Sequence, residues 1–182
     1  MAIPNSEVRY IYKTTVLRWF EEQVKQKDLS ILYCGLSSFD SEIVEKELTE
    51  RLRESISFYD NKESFYHGFM LGLLGGREEY LLKSNREAGD GRYDISMRSL
   101  DVKKPVIIVE LKLAASYYEM EQKSDEALQQ IFEKNYKEAF AKEGHQIANC
   151  FGISFYKKNC RVKGAENFGS DEGNRFDLKK YW

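Results

Sequence analysis

Val106-Ile107-Ile108-Val109-Glu110-Leu111-Lys112 is an apolar run that stops at a carboxylate and an ammonium two positions apart. Pro105 in front of it and its β-branched content predict a strand from Val106 to Leu113, since proline at a strand's first residue costs no ladder bond. Side chains alternate across a strand, so Val106, Ile108, Glu110 and Lys112 share one face, and Ile107, Val109, Leu111 and Leu113 share the other. Glu110 and Lys112 then stand about 7 Å apart, two strand rises. A solvated pair at a strand end is the plain reading of such residues. A buried one needs a chemical reason.

Upstream, Tyr80 to Ala88 and Arg92 to Arg98 are extended stretches joined by Gly89-Asp90-Gly91, the turn signal of an antiparallel hairpin. Asp94 shares a face with Arg92 and Ser96, and pairing of the second and third strands brings it beside Glu110. A helix from about Asn61 to Leu74 precedes the hairpin, with Phe65, Tyr66, Phe69, Met70, Leu73 and Leu74 apolar and Gly75-Gly76 as its stop. Gly68 and Gly72, four apart, suggest close packing of this helix on a sheet. Tyr66 and His67 read as a core aromatic and a satisfied histidine.

Downstream, Ser124 is expected to cap a helix with Asp125 and Glu126 in its first turn. Ala127, Leu128, Ile131 and Phe132 form its apolar face, and it runs, with room for a break near Asn135, to a stop at Gly144. Ile147 to Tyr156 reads as a fourth strand, Lys157-Lys158-Asn159 as a turn, and Cys160 to Val162 as the start of a fifth. At the N-terminal side, Ser6 to about Lys27 has a helical stripe, Leu29 to Leu36 reads as a connection, and Ser37-Ser38-Phe39-Asp40 opens a second helix. That helix buries Ile43, Val44, Leu48, Leu52 and Ile56. The order is that of an α/β fold, with the first two helices read as a lobe of their own. The expected division is 1–60 as an N-terminal helical extension, 61–163 as the core and 164–182 as a tail.

With 182 residues, 42% hydrophobic, 14% aromatic and 32% charged, the chain suits one domain with a sizeable core and is too rich in core formers for disorder. Its net charge of -2 excludes a nucleic-acid binder that relies on its overall field. Local patches such as Lys103-Lys104 and Lys157-Lys158 with Arg161 and Lys163, or a bound cation, must supply any attraction to phosphate. The three cysteines, Cys34, Cys150 and Cys160, have no CxxC spacing, and His67 and His145 complete no zinc motif, so a reduced, cytoplasmic setting is expected. No segment has the apolar length of a bilayer span. The first residues read as a linker at the cut edge of a longer protein.

Two carboxylates in a partly dry site repel, and a proton or a cation must relieve that repulsion. Mg²⁺ suits hard oxygen ligands, typically one or two carboxylates completed by water and phosphate oxygens. A neighbouring lysine can position water or stabilise developing charge. These are the needs of phosphodiester hydrolysis.

Asp94 followed by Glu110-Leu111-Lys112 at the end of an apolar strand, with Glu63 on the preceding helix and Gln130 on the following one, resembles the PD-(D/E)XK nuclease superfamily. More closely, Phe65-Tyr66-His67-Gly68-Phe69, Asn85-Arg86-Glu87-Ala88-Gly89-Asp90-Gly91-Arg92-Tyr93-Asp94-Ile95 and Ala127-Leu128-Gln129-Gln130-Ile131, with Tyr136, are similar to the nuclease-like domain found behind an AAA-ATPase-like domain in many anaerobic bacteria. The resemblance covers about Met1 to Lys163. It implies a restriction-endonuclease-like core of order αβββαβ, a central mixed sheet flanked by helices, with an N-terminal helical extension. It also implies Asp94 and Glu110 as ligands of Mg²⁺ or Mn²⁺, Lys112 as the catalytic lysine, Glu63 as an accessory acid and Gln130 as an accessory polar residue. The implied partners are nucleic acid, DNA ahead of RNA, and an AAA-ATPase-like domain in a longer protein, with room for a homodimer and no membrane. Tyr93 stands where the superfamily has a proline before its first acidic residue. Glu87 competes with Glu63 for the accessory role. The rival reading is a catalytically degenerate module of the same fold that binds nucleic acid or a protein and regulates an ATPase domain.

Overall fold

The computed structural model describes residues 28–55, 63–88, 91–134, 140–141 and 143–168. The expected helix over 6–27, Ile56, the Gly89-Asp90 turn, Tyr136 and the tail from 169 lie outside the described residues. Three helices come first, α1 (Ser30–Ser38), α2 (Ser41–Ser55) and α3 (Glu63–Leu74). Strands β1 (Tyr80–Ala88), β2 (Gly91–Ser99) and β3 (Val106–Leu113) follow as a meander. A 3₁₀ turn at Tyr117–Glu119 leads into α4 (Met120–Glu133), and β4 (Ile147–Tyr156) and β5 (Asn159–Phe168) complete the order.

The strands make one sheet in the order β1-β2-β3-β4-β5. Every neighbouring pair is antiparallel except β3 and β4, which run parallel. A parallel pair cannot be joined by a tight turn, and α4 lies in the long crossover that joins them. From α3 onward the order is thus αβββαβ, a restriction-endonuclease-like core with β5 added at the edge.

The alternation along β3 separates two apolar layers. Ile107, Val109 and Leu111 join Phe151, Ile153 and Phe155 of β4 under α1, α2 and α3, while Val106 and Ile108 join Ala148 and Cys150 under Leu128 and Ile131 of α4. Tyr66 of α3 stacks on Phe155 with ring centroids 4.6 Å apart and donates its hydroxyl to the Lys157 carbonyl at 2.9 Å. Helix ends are closed by side chains from neighbouring elements, as their orphan carbonyls require. The Tyr33 hydroxyl donates to the carbonyls of Leu73 and Leu74 at the end of α3, and Asn149 Nδ2 donates to those of Leu36 and Ser37 at the end of α1.

Several expectations change. Leu29 to Leu36 is no connection: Ser30–Ser38 is helical and buries Leu32, Tyr33, Gly35 and Leu36. With apolar side chains nearly all round, this short run shows no stripe by which to recognise a helix. Of the two helices expected to form a lobe, the one over 6–27 lies outside the described residues; the second, α2, packs with α1 on the sheet, since Leu32, Leu36, Val44, Leu48 and Leu52 belong to the layer that covers β3 and β4. Ser124 does not cap α4. The helix starts four residues earlier, Met120 is buried on the same stripe as Ser124 and Leu128, and the Ser124 hydroxyl donates back to the Glu121 carbonyl at 2.7 Å. Gly68 faces open space, so it brings no helix close to the sheet. Strand β5 runs on to Phe168, so residues 164–168 pair with β4.

Candidate active site

The site forms where β2 and β3 part. Their ladder ends at Ile95 opposite Val109, and by the same register Asp94 faces Glu110. The Asp94 carboxylate there takes over as partner of the backbone: its Oδ2 accepts the Leu111 N–H at 2.9 Å. The Asp94 carbonyl lies 3.2 Å from His67 Nε2, which also meets the Ser84 hydroxyl at 3.0 Å, so α3 and β1 both hold this point of β2. His67 is the satisfied histidine that the sequence suggests.

Glu110 is 2% exposed. Gln130 of α4 donates its amide to Glu110 Oε1 and accepts from the Lys112 ammonium at 2.5 Å. Lys112 Nζ is 3.7 Å from the same Glu110 oxygen, so the three side chains close a triangle. The other oxygen, Glu110 Oε2, is buried without a hydrogen-bond partner. Burial, and then the adjacent Asp94 carboxylate, push the Glu110 acid up to about 8 against the opposing pull of Lys112. Near neutral pH the metal-free site therefore holds a proton that a cation can displace.

Gly152 makes this assembly possible. It lies beside Glu110 in the parallel β3–β4 register. A Cβ there would fall on the Ser124 carbonyl and the Leu128 amide and come within 2.9 Å of Leu128 Cβ. Only glycine lets the backbone of α4 settle on the sheet so closely, and that approach lays Gln130 over Glu110. Sequence reasoning missed it, although a glycine inside an apolar strand signals close backbone approach.

The structure brings together Asp94, Glu110, Lys112 and Gln130. Glu63 is exposed at the first residue of α3, and no hydrogen bond or ion pair links it to the cluster among the described residues. It lies one helical turn before His67, on the face that reaches Asp94. The Glu87 side chain is outside the described residues. Arg161 and Lys163 are engaged by carboxylates: Arg161 meets Glu45 at 2.7 Å, and Lys163 pairs with Glu121 and Asp125.

Among the described residues no group of three His, Cys, Asp or Glu side chains could hold a metal ion. Two carboxylates, one with an unpartnered buried oxygen, still fit a hard divalent cation, because such ions keep water and substrate oxygens in their remaining positions. No described helix is long and apolar enough to cross a membrane.

Residues 61–165 match the family model described as the PD-(D/E)XK nuclease superfamily. A search of curated proteins finds no match. The match spans the αβββαβ order and every residue of the cluster, and the chain belongs to the PD-(D/E)XK nuclease superfamily.

Proposed function

We propose that the chain hydrolyses phosphodiester bonds in nucleic acid, DNA ahead of RNA, with Mg²⁺ or Mn²⁺ held by Asp94 and Glu110. The observation that carries this reading is the buried, unpartnered Oε2 of Glu110 next to the Asp94 carboxylate. When bound, a divalent ion there supplies a Lewis acid and a water acidified toward neutral pH. The Lys112 side chain is about one-third exposed, and its ammonium is assigned to orienting the attacking water and offsetting charge that builds on the phosphate. Gln130 sets the position of that ammonium, since one amide group accepts from Lys112 and donates to Glu110. Glu63, on the helix whose His67 steadies the Asp94 backbone, takes the accessory acidic role that the family resemblance implies. Asp94, Glu110 and Lys112 lie together, which favours catalysis over a degenerate module of the same fold.

Labelled DNA and RNA incubated with Mg²⁺ provide the test. Cleavage is expected with Mg²⁺ and none with chelator, and Asp94→Asn and Lys112→Ala should each lower the rate by on the order of 10²-fold or more. Unchanged rates in both variants, with circular dichroism showing them folded, would overturn the assignment. Calorimetric titration with Mn²⁺ separates catalysis from mere fold: wild type should bind and Glu110→Gln should not.

A further inference from the structure

Three of the described tyrosines serve the fold. Tyr33 and Tyr66 are buried and donate to carbonyls, and Tyr80 stacks on Tyr33. Tyr117 and Tyr118 are different, at 53% and 92% exposed. They touch each other edge-to-face, ring centroids 6.2 Å apart and planes at 87°. Large rings held in water at a fixed place lose contact area that a ligand can restore.

The turn that carries them is braced. After Lys112 and Leu113, the Ala114 N–H donates to the Phe155 carbonyl at 2.9 Å, which ties the chain to β4. The Glu119 carboxylate then accepts the Ala115 N–H and the Ser116 hydroxyl, each at 3.2 Å. The pair is thus fixed between the strand of Glu110 and Lys112 and the helix of Gln130. Met120 and Gln130 are ten helical positions apart, about 15 Å at 1.5 Å per residue.

We propose that Tyr117 and Tyr118 are a stacking platform for unpaired nucleobases on the strand that leads away from the cleaved bond, an inference that rests on the nuclease reading. Paired bases in a duplex hide their faces against their neighbours, whereas single-stranded or frayed bases present them to aromatic rings. With a net charge of -2, and with Lys123 on the intervening helix face paired with Glu126 at 2.6 Å, the overall field gives phosphate little attraction, and base stacking is the contact that this turn offers.

The test uses the full chain in chelator with a short single-stranded oligonucleotide carrying 2-aminopurine, whose fluorescence falls on stacking. Wild type should quench it, with a shallow salt dependence. Tyr117→Ala/Tyr118→Ala should bind roughly tenfold to a hundredfold more weakly, while Tyr118→Trp retains binding. With Mg²⁺, the double variant should raise KM for single strands by a similar factor at nearly unchanged kcat. Quenching lost in the variant while wild type cleaves nothing would leave the platform standing and defeat the nuclease reading. Equal binding by wild type and the double variant, or no binding by either, overturns the platform. So does a fall in sedimenting mass in the variant with binding intact, because the rings would then cover a second copy of the chain.

Discussion

Glu110 makes the metal-free protein sensitive to pH. Its folded acid titrates at about 8, against an ordinary value of 4.5. Between those values the folded chain keeps a proton that the unfolded chain has released, so stability falls as pH rises across that window and levels off above it. Denaturation of wild type and Glu110→Gln in chelator at pH 5 and pH 9 should show the variant gaining on wild type by roughly 2 to 5 kcal/mol, at 1.36 kcal/mol per unit. A constant difference between the two would contradict the buried, raised carboxyl. Binding of Mn²⁺ expels the same proton, so affinity should strengthen with pH up to about 8.

The packing of α4 on β4 depends on one missing side chain. Gly152→Ala places a methyl against the helix backbone, which cannot yield by a rotamer change, so the helix itself must move. The expected cost is about 1–3 kcal/mol in urea denaturation, together with a drop in cleavage as Gln130 leaves Glu110. Normal stability and activity would mean that α4 has freedom the packing denies it. Elements differ in how far the sequence reveals them. Strands β3 and β4 show their limits, because apolar runs bounded by Pro105 and by Lys157-Lys158 leave little choice. Helix α1 does not, being short and apolar on most sides. The start of α4 hides because Glu121, Gln122 and Lys123 add nothing to an apolar stripe, and Ser124 looks like a cap although its hydroxyl is satisfied inside the helix. In the candidate site, Glu110 and Lys112 stand out as a charged end on an apolar strand. Asp94 joins them only through register, and Gln130 only through the close approach at Gly152.

Over the whole molecule, α1, α2 and α3 share one apolar layer with the sheet. Leu48 of α2 is fully buried in it with Phe151 and Phe155 of β4, though the sequence order suggested a lobe apart. Leu48→Ala should therefore destabilise the entire described fold by about 2–5 kcal/mol. Far-UV circular dichroism and amide exchange in β3 should report the same loss. If α2 melted while β3 kept its protection, the layer would be two units rather than one. The parallel pairing of β3 with β4 also sets an order of events during translation. Both carboxylates are made before α4, yet β3 gains its parallel neighbour only after α4 and the crossover have been made. A nascent chain that stops short of Tyr156 has Asp94 and Glu110 without a complete floor beneath α4. The cluster is thus finished late, when almost all of the described core has been made.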